Sequence, residues 1–437
     1  MVLKLLMVAA AMAVLGWAAP ASAHGTVENA DIPLAQTIAG TELTVVIRRS
    51  WEVPGPLRVD VIAYQPVRDL AVDLRLRSTV DGHATASGVR LERGRAGTYP
   101  ATLRVAGTGA HELELRAAGE VSVLPFRVLG PRAAGWETVM YGGFGATGVL
   151  LAAALVAAAG ARMAVATGCG GGALVALAVA STVASLSAAL PPATPDGAPP
   201  PAAGAADPGR PYAQLAVSTT PPRPAVGDEF TLHLDLSDGS TGQPVDDLAA
   251  HHAALAHLVV TSADATFFRH VHPNRTAAGR LAVRLRATVP GRHLVHAEIE
   301  RADSGGQALA GGFEVAGRAA ADGPPAPAAA RVALPPEPVP GRPVPIEVDA
   351  GAADLQPWLG MAGHLIVRDA AGGFLGHVHE QGGMAAGDGT VAGAGPRLRF
   401  AFSFPRPGRY FGWVQFVRDF TVVTVPFTVH IGAERAR

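Results

Sequence analysis

The chain has 437 residues, 35 Lys and Arg against 36 Asp and Glu, a formal net charge of −1 and one cysteine. That length allows two to four domains, and the balanced charge without a basic stripe excludes a nucleic-acid surface. The single thiol, Cys169, excludes an intrachain disulfide and any Cys-x-x-Cys metal site.

Residues 1–23 read as an export signal. Lys4 is the only lysine and supplies the positive end, "LLMVAAAMAVLGWAA" is a short apolar core, and "ASA" ahead of His24 is a small-residue cleavage site. Cleavage there would leave His24 first, where a free amine and an imidazole can chelate a metal together. Residues 24–132 follow as an Ig-like sandwich. Short alternating runs such as "LTVVIRR", "LRVDVIA", "LAVDLRL", "ELELRA" and "VSVLPFRV" sit between turn residues, and helical periodicity is absent.

Residues 138–190 read as two transmembrane helices, "VMYGGFGATGVLLAAALVAAAGARM" and "CGGGALVALAVASTVASLSAAL", each long enough to span a bilayer and free of carboxylates. Their glycines allow close helix approach, and Cys169 among them reads as a small packed residue. Arg162 in the connection favours a cytoplasmic turn, which places the large domains outside the membrane. A Pro/Ala-rich linker at 191–211 reads as a semi-rigid spacer leading away from the membrane. Two further β-sandwich repeats are expected at 212–316 and 331–437, joined by a linker at 317–330. The expected fold class is therefore mainly β: three Ig-like antiparallel sandwiches and a two-helix membrane hairpin.

The last two regions are copies of each other. "HLVVTSADATFFRHVH" and "HLIVRDAAGGFLGHVH" place His257, His270 and His272 each 107 residues before His364, His377 and His379. If each stretch is a hairpin with its turn centred at Ala263/Asp264 or Ala370/Ala371, His257 faces His270 and His364 faces His377. His272 and His379 then share the same face, two residues on. Three convergent imidazoles leave an open coordination position on zinc, copper, nickel or iron. The bland alternative is an ordinary strand histidine, exposed or hydrogen-bonded.

The copies differ around these triads. His252, in "HHAALAH", is a candidate fourth ligand for the first. Met361 in "GMAGH" and Met384 in "HEQGGMAA" accompany the second, and thioether with imidazole suits copper, although methionine also simply packs. His293 and His296 correspond to Tyr410 and Trp413, which favours a structural or copy-specific role for that pair.

The stretch "HHAALAHLVVTSADATFFRHVHP" resembles exported bacterial β-sandwich domains with an "HxHP" end, loosely related to the YtkA-like domains. "WLGMAGHLIVRDAAGGFLGHVHEQGGM" is similar to a variant with "GMAGH" and "HLHPMG" segments, departing at Glu380 and in the later methionine. The resemblance covers both repeats and implies extracytoplasmic domains that handle copper or other heavy metals. The sequence thus leads to an expectation of a membrane-anchored, outward-facing metal-binding protein. Its ligands would be copper, or zinc as the alternative, at two hairpin sites, and its partners the metal ion and the lipid bilayer. Binding is expected to weaken as pH falls through the imidazole range. The competing classes are an interaction module without metal and a metal-dependent enzyme. The second lacks a placed general base in the sequence, so no enzyme is expected.

Overall fold

The computed structural model describes residues 31–48, 52–64, 68–130, 132, 134–190, 194–198, 212–302, 304–318, 330–351, 355–359, 361–382 and 396–433. The export signal, His24, Met384 and most of both linkers lie outside these residues. Residues from Ile32 onward form one unit.

The first domain is a sandwich of two four-stranded antiparallel sheets. Its alternating sequence does what period two requires. In Leu70–Ser78, Leu70, Val72, Leu74 and Leu76 point into the core while Ala71, Asp73, Arg75 and Arg77 are exposed. Two strands lack a strong alternating signature and are not among the expected runs. These are Ile32–Ile38, buried along most of its length, and Ala84–Leu91, rich in Ala, Ser and Gly. The first of them becomes important below.

Helices α1 (Gly135–Ala159) and α2 (Met163–Leu186) pack against each other through their small residues. A Cβ at Gly143 would lie 2.9 Å from Ala180 Cβ, and Thr147, nearly buried between the helices, donates its hydroxyl to the Gly143 carbonyl at 2.8 Å. The remaining circumference is apolar and bare, as at Val149, Leu155, Val156 and Leu174. Both helices are long and apolar enough to cross a membrane. The chain then returns to where it left. Gly130 and Asp196 exchange backbone hydrogen bonds of 2.9 and 3.1 Å, so residues 194–198 are held against the first domain rather than extending from it.

Each repeat packs a small sheet against a five-stranded one. In the first, the hairpin Ala256–Ser262 and Phe268–Val271 sits beside the long strand Gly291–Arg301; in the second, His364–Asp369 and Leu375–His379 sit beside Gly408–Arg418. Leu258 and Val260 point into the first core, and Leu365 and Val367 into the second. Val259 and Ile366, on the opposite sheet faces, are also fully buried, because the two five-stranded sheets cover each other there together with Trp413. Phe268 stacks on Trp413 with centroids 4.5 Å apart. Burial on both faces explains the unbroken apolar runs "LVV" and "LIV".

The hairpin register differs from the sequence expectation by two residues. Val259, not His257, pairs with His270, and Leu258 pairs with Val271; in the second copy His364 pairs with His379 and Ile366 with His377. The cause is the loop. Ser262 and Phe267 close a four-residue turn capped by Asp264, which accepts from the Thr266 amide and from the hydroxyls of Ser262 and Thr266. In the second copy Asp369 stands at the position of Ser262 and accepts the Phe374 amide, as the Ser262 hydroxyl accepts that of Phe267. Each turn is therefore centred one residue later than expected. A shift of two preserves the face, so the histidines still converge.

Candidate metal centre

The two triads lie side by side rather than apart. The face-to-face packing of the repeats brings all six imidazoles into one centre. Ring centroids of His257 and His270 lie 5.3 and 5.2 Å from that of His377, and His270 lies 6.1 Å from His364. Within the halves, the spacings are 5.0 Å for His257–His272 and for His364–His379. His257, His272 and His364 are 1% exposed or less.

The outward nitrogen of each ring identifies the one that faces in. The Nε2–H of His257 donates to the His251 carbonyl at 3.1 Å, and that of His364 to the Trp358 carbonyl at 3.1 Å. Residues 251 and 358 are equivalent, and each is followed by a residue with positive φ, His252 and Leu359, that turns the carbonyl toward the ring. The Nδ1–H of His272 donates to Glu42 at 2.6 Å, that of His377 to Glu298 at 2.8 Å, and that of His270 to Gln415 Oε1 at 2.9 Å. Oxygen atoms of carbonyls and carboxylates only accept, so each partnered nitrogen carries the hydrogen, and in a neutral imidazole the other nitrogen is a bare lone pair. Burial and neighbouring imidazoles hold His257, His270 and His364 well below the usual pKa of 6.5, which keeps these rings neutral.

The bare nitrogens face one another. His257 Nδ1 lies 3.2 Å from His270 Nε2 and 3.3 Å from His272 Nε2, and His364 Nδ1 lies 3.1 Å from His377 Nε2. Between His257 and His270, both held neutral, no hydrogen is left to bridge the pair. Nitrogens sharing a tetrahedral ion with bonds of about 2.0–2.1 Å would be roughly 3.3 Å apart. His379 Nε2 is buried with no partner at all. Lone pairs aimed at one another among buried rings are the arrangement a cation resolves.

The outer partners cross between the copies. Glu298 lies opposite His257 in the first repeat but holds His377 of the second; Gln415 lies opposite His364 but holds His270 of the first. The contact is therefore an approximate two-fold, with equivalent positions exchanged. The first domain supplies a third wall. The Ala35 amide donates to the Ala253 carbonyl at 2.6 Å, the Thr37 amide to the His272 carbonyl at 2.8 Å, and Glu42 follows on the next strand. Ala35 and Tyr64 also pack with Ala254, Trp358, Leu359 and Val417. A cavity of about 230 Å³ borders the centre, with Glu42, His270, Trp358 and Gln415 on its walls.

The remaining candidates fall as follows. His252 does not complete the first triad; its ring lies 6.3 Å from His257 but 3.9 Å from His379, so it joins the second half. Burial first, then neighbouring imidazoles, lower His252 to about 4 and His379 to about 3. Met361 pairs its backbone with Trp358 to form the turn that presents the Trp358 carbonyl, as Ala254 does with His251 in the first copy. His296 donates its Nε2–H to the Gly372 carbonyl of the opposite repeat, 3.0 Å away, and so serves the interface. His293 bonds the Gly291 carbonyl of its own strand and stacks on Phe313. Glu42, Glu298, Gln415, His251 and Trp358 were not among the expected site residues.

Residues 213–314 and 330–433 each match the family described as "Domain of unknown function (DUF8832)". The duplication read from the histidine spacing is thus a tandem pair of one domain type, and the match is to that family rather than to the YtkA-like group. No curated protein matches the chain. Solved structures similar to it include a transglutaminase from red sea bream, 14% identical over 50% of this chain and 31% of that one, with a TM-score of 0.17. Latent PorU from Porphyromonas gingivalis is 11% identical over 92% and 33%, also at 0.17. A protein from Corynebacterium diphtheriae described as membrane anchored is 8% identical over 92% and 94%, again at 0.17. The chain spans about a third of the length of the first two, and at this TM-score none of the likenesses carries an argument.

Proposed function

We propose that this protein binds copper at the histidine centre between its two repeats and is held at the outer face of a membrane by its helix pair. The observation that supports metal binding above all is the set of facing lone pairs, each fixed by an acceptor behind its ring. The all-imidazole donor set suits zinc, copper, nickel and iron, and among divalent ions of this series copper(II) binds such ligands most tightly. Zinc is the alternative. The bare apolar circumference of α1 and α2 supports the anchor, and the leader-like residues 1–23 with Arg162 support an outward orientation. The role is holding, delivering or sensing the ion rather than turnover. Glu42 and Glu298, the carboxylates at the centre, are engaged in orienting imidazoles, which leaves hydrolysis without a free general base there.

The test is titration of the full chain in detergent with Cu(II), Cu(I) and Zn(II). The full chain is required because Glu42 comes from the first domain. Saturable binding is expected in the parent and its loss after His257, His270, His364 and His377 are all replaced by alanine. Binding that survives all four changes, or a parent that binds nothing, sinks the proposal.

A further inference from the structure

The six imidazoles outnumber what one ion can use. A single nitrogen lone pair serves a single ion, and an ion with bonds of about 2.0–2.1 Å collects only nitrogens within roughly 4.2 Å of one another. Among the described residues, the ligand nitrogens that lie within 4.8 Å of each other form groups of three, His257/His270/His377 and His364/His377/His379, and not one group of six. One ion in the first group would leave His364 Nδ1 and His379 Nε2 bare in a buried pocket; one in the second would strand His257 and His270 in the same way. Buried lone pairs without a partner are costly, and the orienting contacts behind both halves would serve no purpose.

We infer that the centre holds two metal ions side by side, one bound by His257 Nδ1 with His270 and His272 Nε2, the other by His364 Nδ1 with His377 and His379 Nε2. The inference rests on the metal-binding reading above and adds its stoichiometry and partition. His377 sits within reach of both groups but approaches His364 Nδ1 at 3.1 Å, so it goes to the second ion. His272 belongs to neither group of three, but its Nε2 lies 3.3 Å from His257 Nδ1, and a small ring shift toward His270 lets it complete the first. The overlap of the two groups at His377 makes the ions neighbours.

The surroundings divide in the same way. Each half has one ring oriented by a main-chain carbonyl, His251 or Trp358, and one carboxylate one ring away, Glu42 behind His272 and Glu298 behind His377. One negative charge therefore accompanies each ion, which lessens the repulsion between two cations held this close. Outer-shell carboxylates of this kind fix ring orientation and strengthen the imidazole as a donor.

Native mass spectrometry of the full chain in detergent, saturated with Zn(II), is expected to give two ions per chain. The variants His257→Ala/His270→Ala and His364→Ala/His377→Ala are each expected to keep one. Electron paramagnetic resonance of the parent with two equivalents of Cu(II) is expected to show spin–spin coupling that is absent with one. A parent that saturates at one ion overturns the pair while leaving the metal-binding reading intact, and zero ions overturns both. Loss of all metal in either double variant, with its β-rich circular dichroism spectrum retained, overturns the partition. Two uncoupled Cu(II) signals overturn the adjacency. If the variants fail to fold, the parent stoichiometry and coupling decide alone.

Discussion

The two halves of the histidine centre share one ligand pattern but are finished differently. In the first half all three rings are oriented from behind, by the His251 carbonyl, Gln415 and Glu42, and all three are buried. In the second, Trp358 and Glu298 orient two rings, His379 has no partner on Nε2, and His377 and His379 are only partly buried. The first domain accounts for much of this difference, because Glu42 orients a ring of the first half and the strand Ile32–Ile38 bonds the backbone of Ala253 and His272, whereas the second half receives only its apolar contacts at Trp358, Leu359 and Val417. Duplication produced equivalent donors; the first-domain sandwich made one set more rigid. The first half should therefore hold its ion more tightly and the second exchange it faster.

Removing donors breaks the comparison most severely. His257→Ala in the first half or His364→Ala in the second deletes the ring that faces two others, or one other, through its Nδ1. Each is expected to weaken binding in its own half by more than the roughly 10–100-fold typical of an outer-shell change, read by competition with a chelating dye. A loss smaller than this would mean that the lone pairs do not meet on an ion.

Outer-shell changes sharpen it. Glu42→Gln should lower affinity in the first half by about 10–100-fold, and Glu298→Gln should do the same in the second. Because position 415 already carries the amide, Gln415→Glu is the reciprocal experiment and should tighten the first half. If Glu42→Gln affects both halves equally, the first domain does not discriminate between them.

The interface can be disturbed without touching a donor. Trp413 is 3% exposed and stacks on Phe268 across the repeat boundary, so Trp413→Ala should cost about 3–5 kcal/mol of stability by cavity formation. Since each half takes an orienting residue from the opposite copy, metal affinity should fall as well, though less than on ligand removal. Thermal melting with and without Zn(II) checks both. A destabilised variant with unchanged affinity would show that the halves work independently.

Much of this could be read from residues. The constant 107-residue offset carried the duplication, the period-two runs carried the sandwiches, and both histidine triads were visible. The two-residue register error came from loop closure by Ser262–Phe267, a side-chain matter that strand alternation does not encode. It did no harm to the shared face because parity was kept. What alternation alone hid was the joining of the triads. His257 and Val259 lie on the sheet face opposite Leu258 and Val260, and only the unbroken apolar runs hinted that this face is covered too. Glu42 was out of reach, since nothing local links "TELTVV" to a histidine 230 residues away.

The smallest effect is expected from pH near neutrality, and its sign follows from burial. In the unfolded chain these imidazoles titrate near 6.5. In the folded protein His257, His270 and His364 are pushed well below that, His252 to about 4 and His379 to about 3. Below about pH 6.5 the unfolded state therefore binds more protons than the folded one, and metal-free stability declines as pH falls; above it, these groups contribute no slope. Melting temperature should be flat from pH 8 to 7 and drop progressively below 6.5. Metal affinity behaves differently, because protons compete for His257, His270, His364 and His379 only below the ordinary imidazole range. Binding through these rings should persist across the ordinary imidazole range and weaken toward pH 4. Loss of metal centred near pH 6.5 would mean that the histidines titrate as free side chains. The packing of the two repeats, which buries the centre, would then not be what prepares it for an ion.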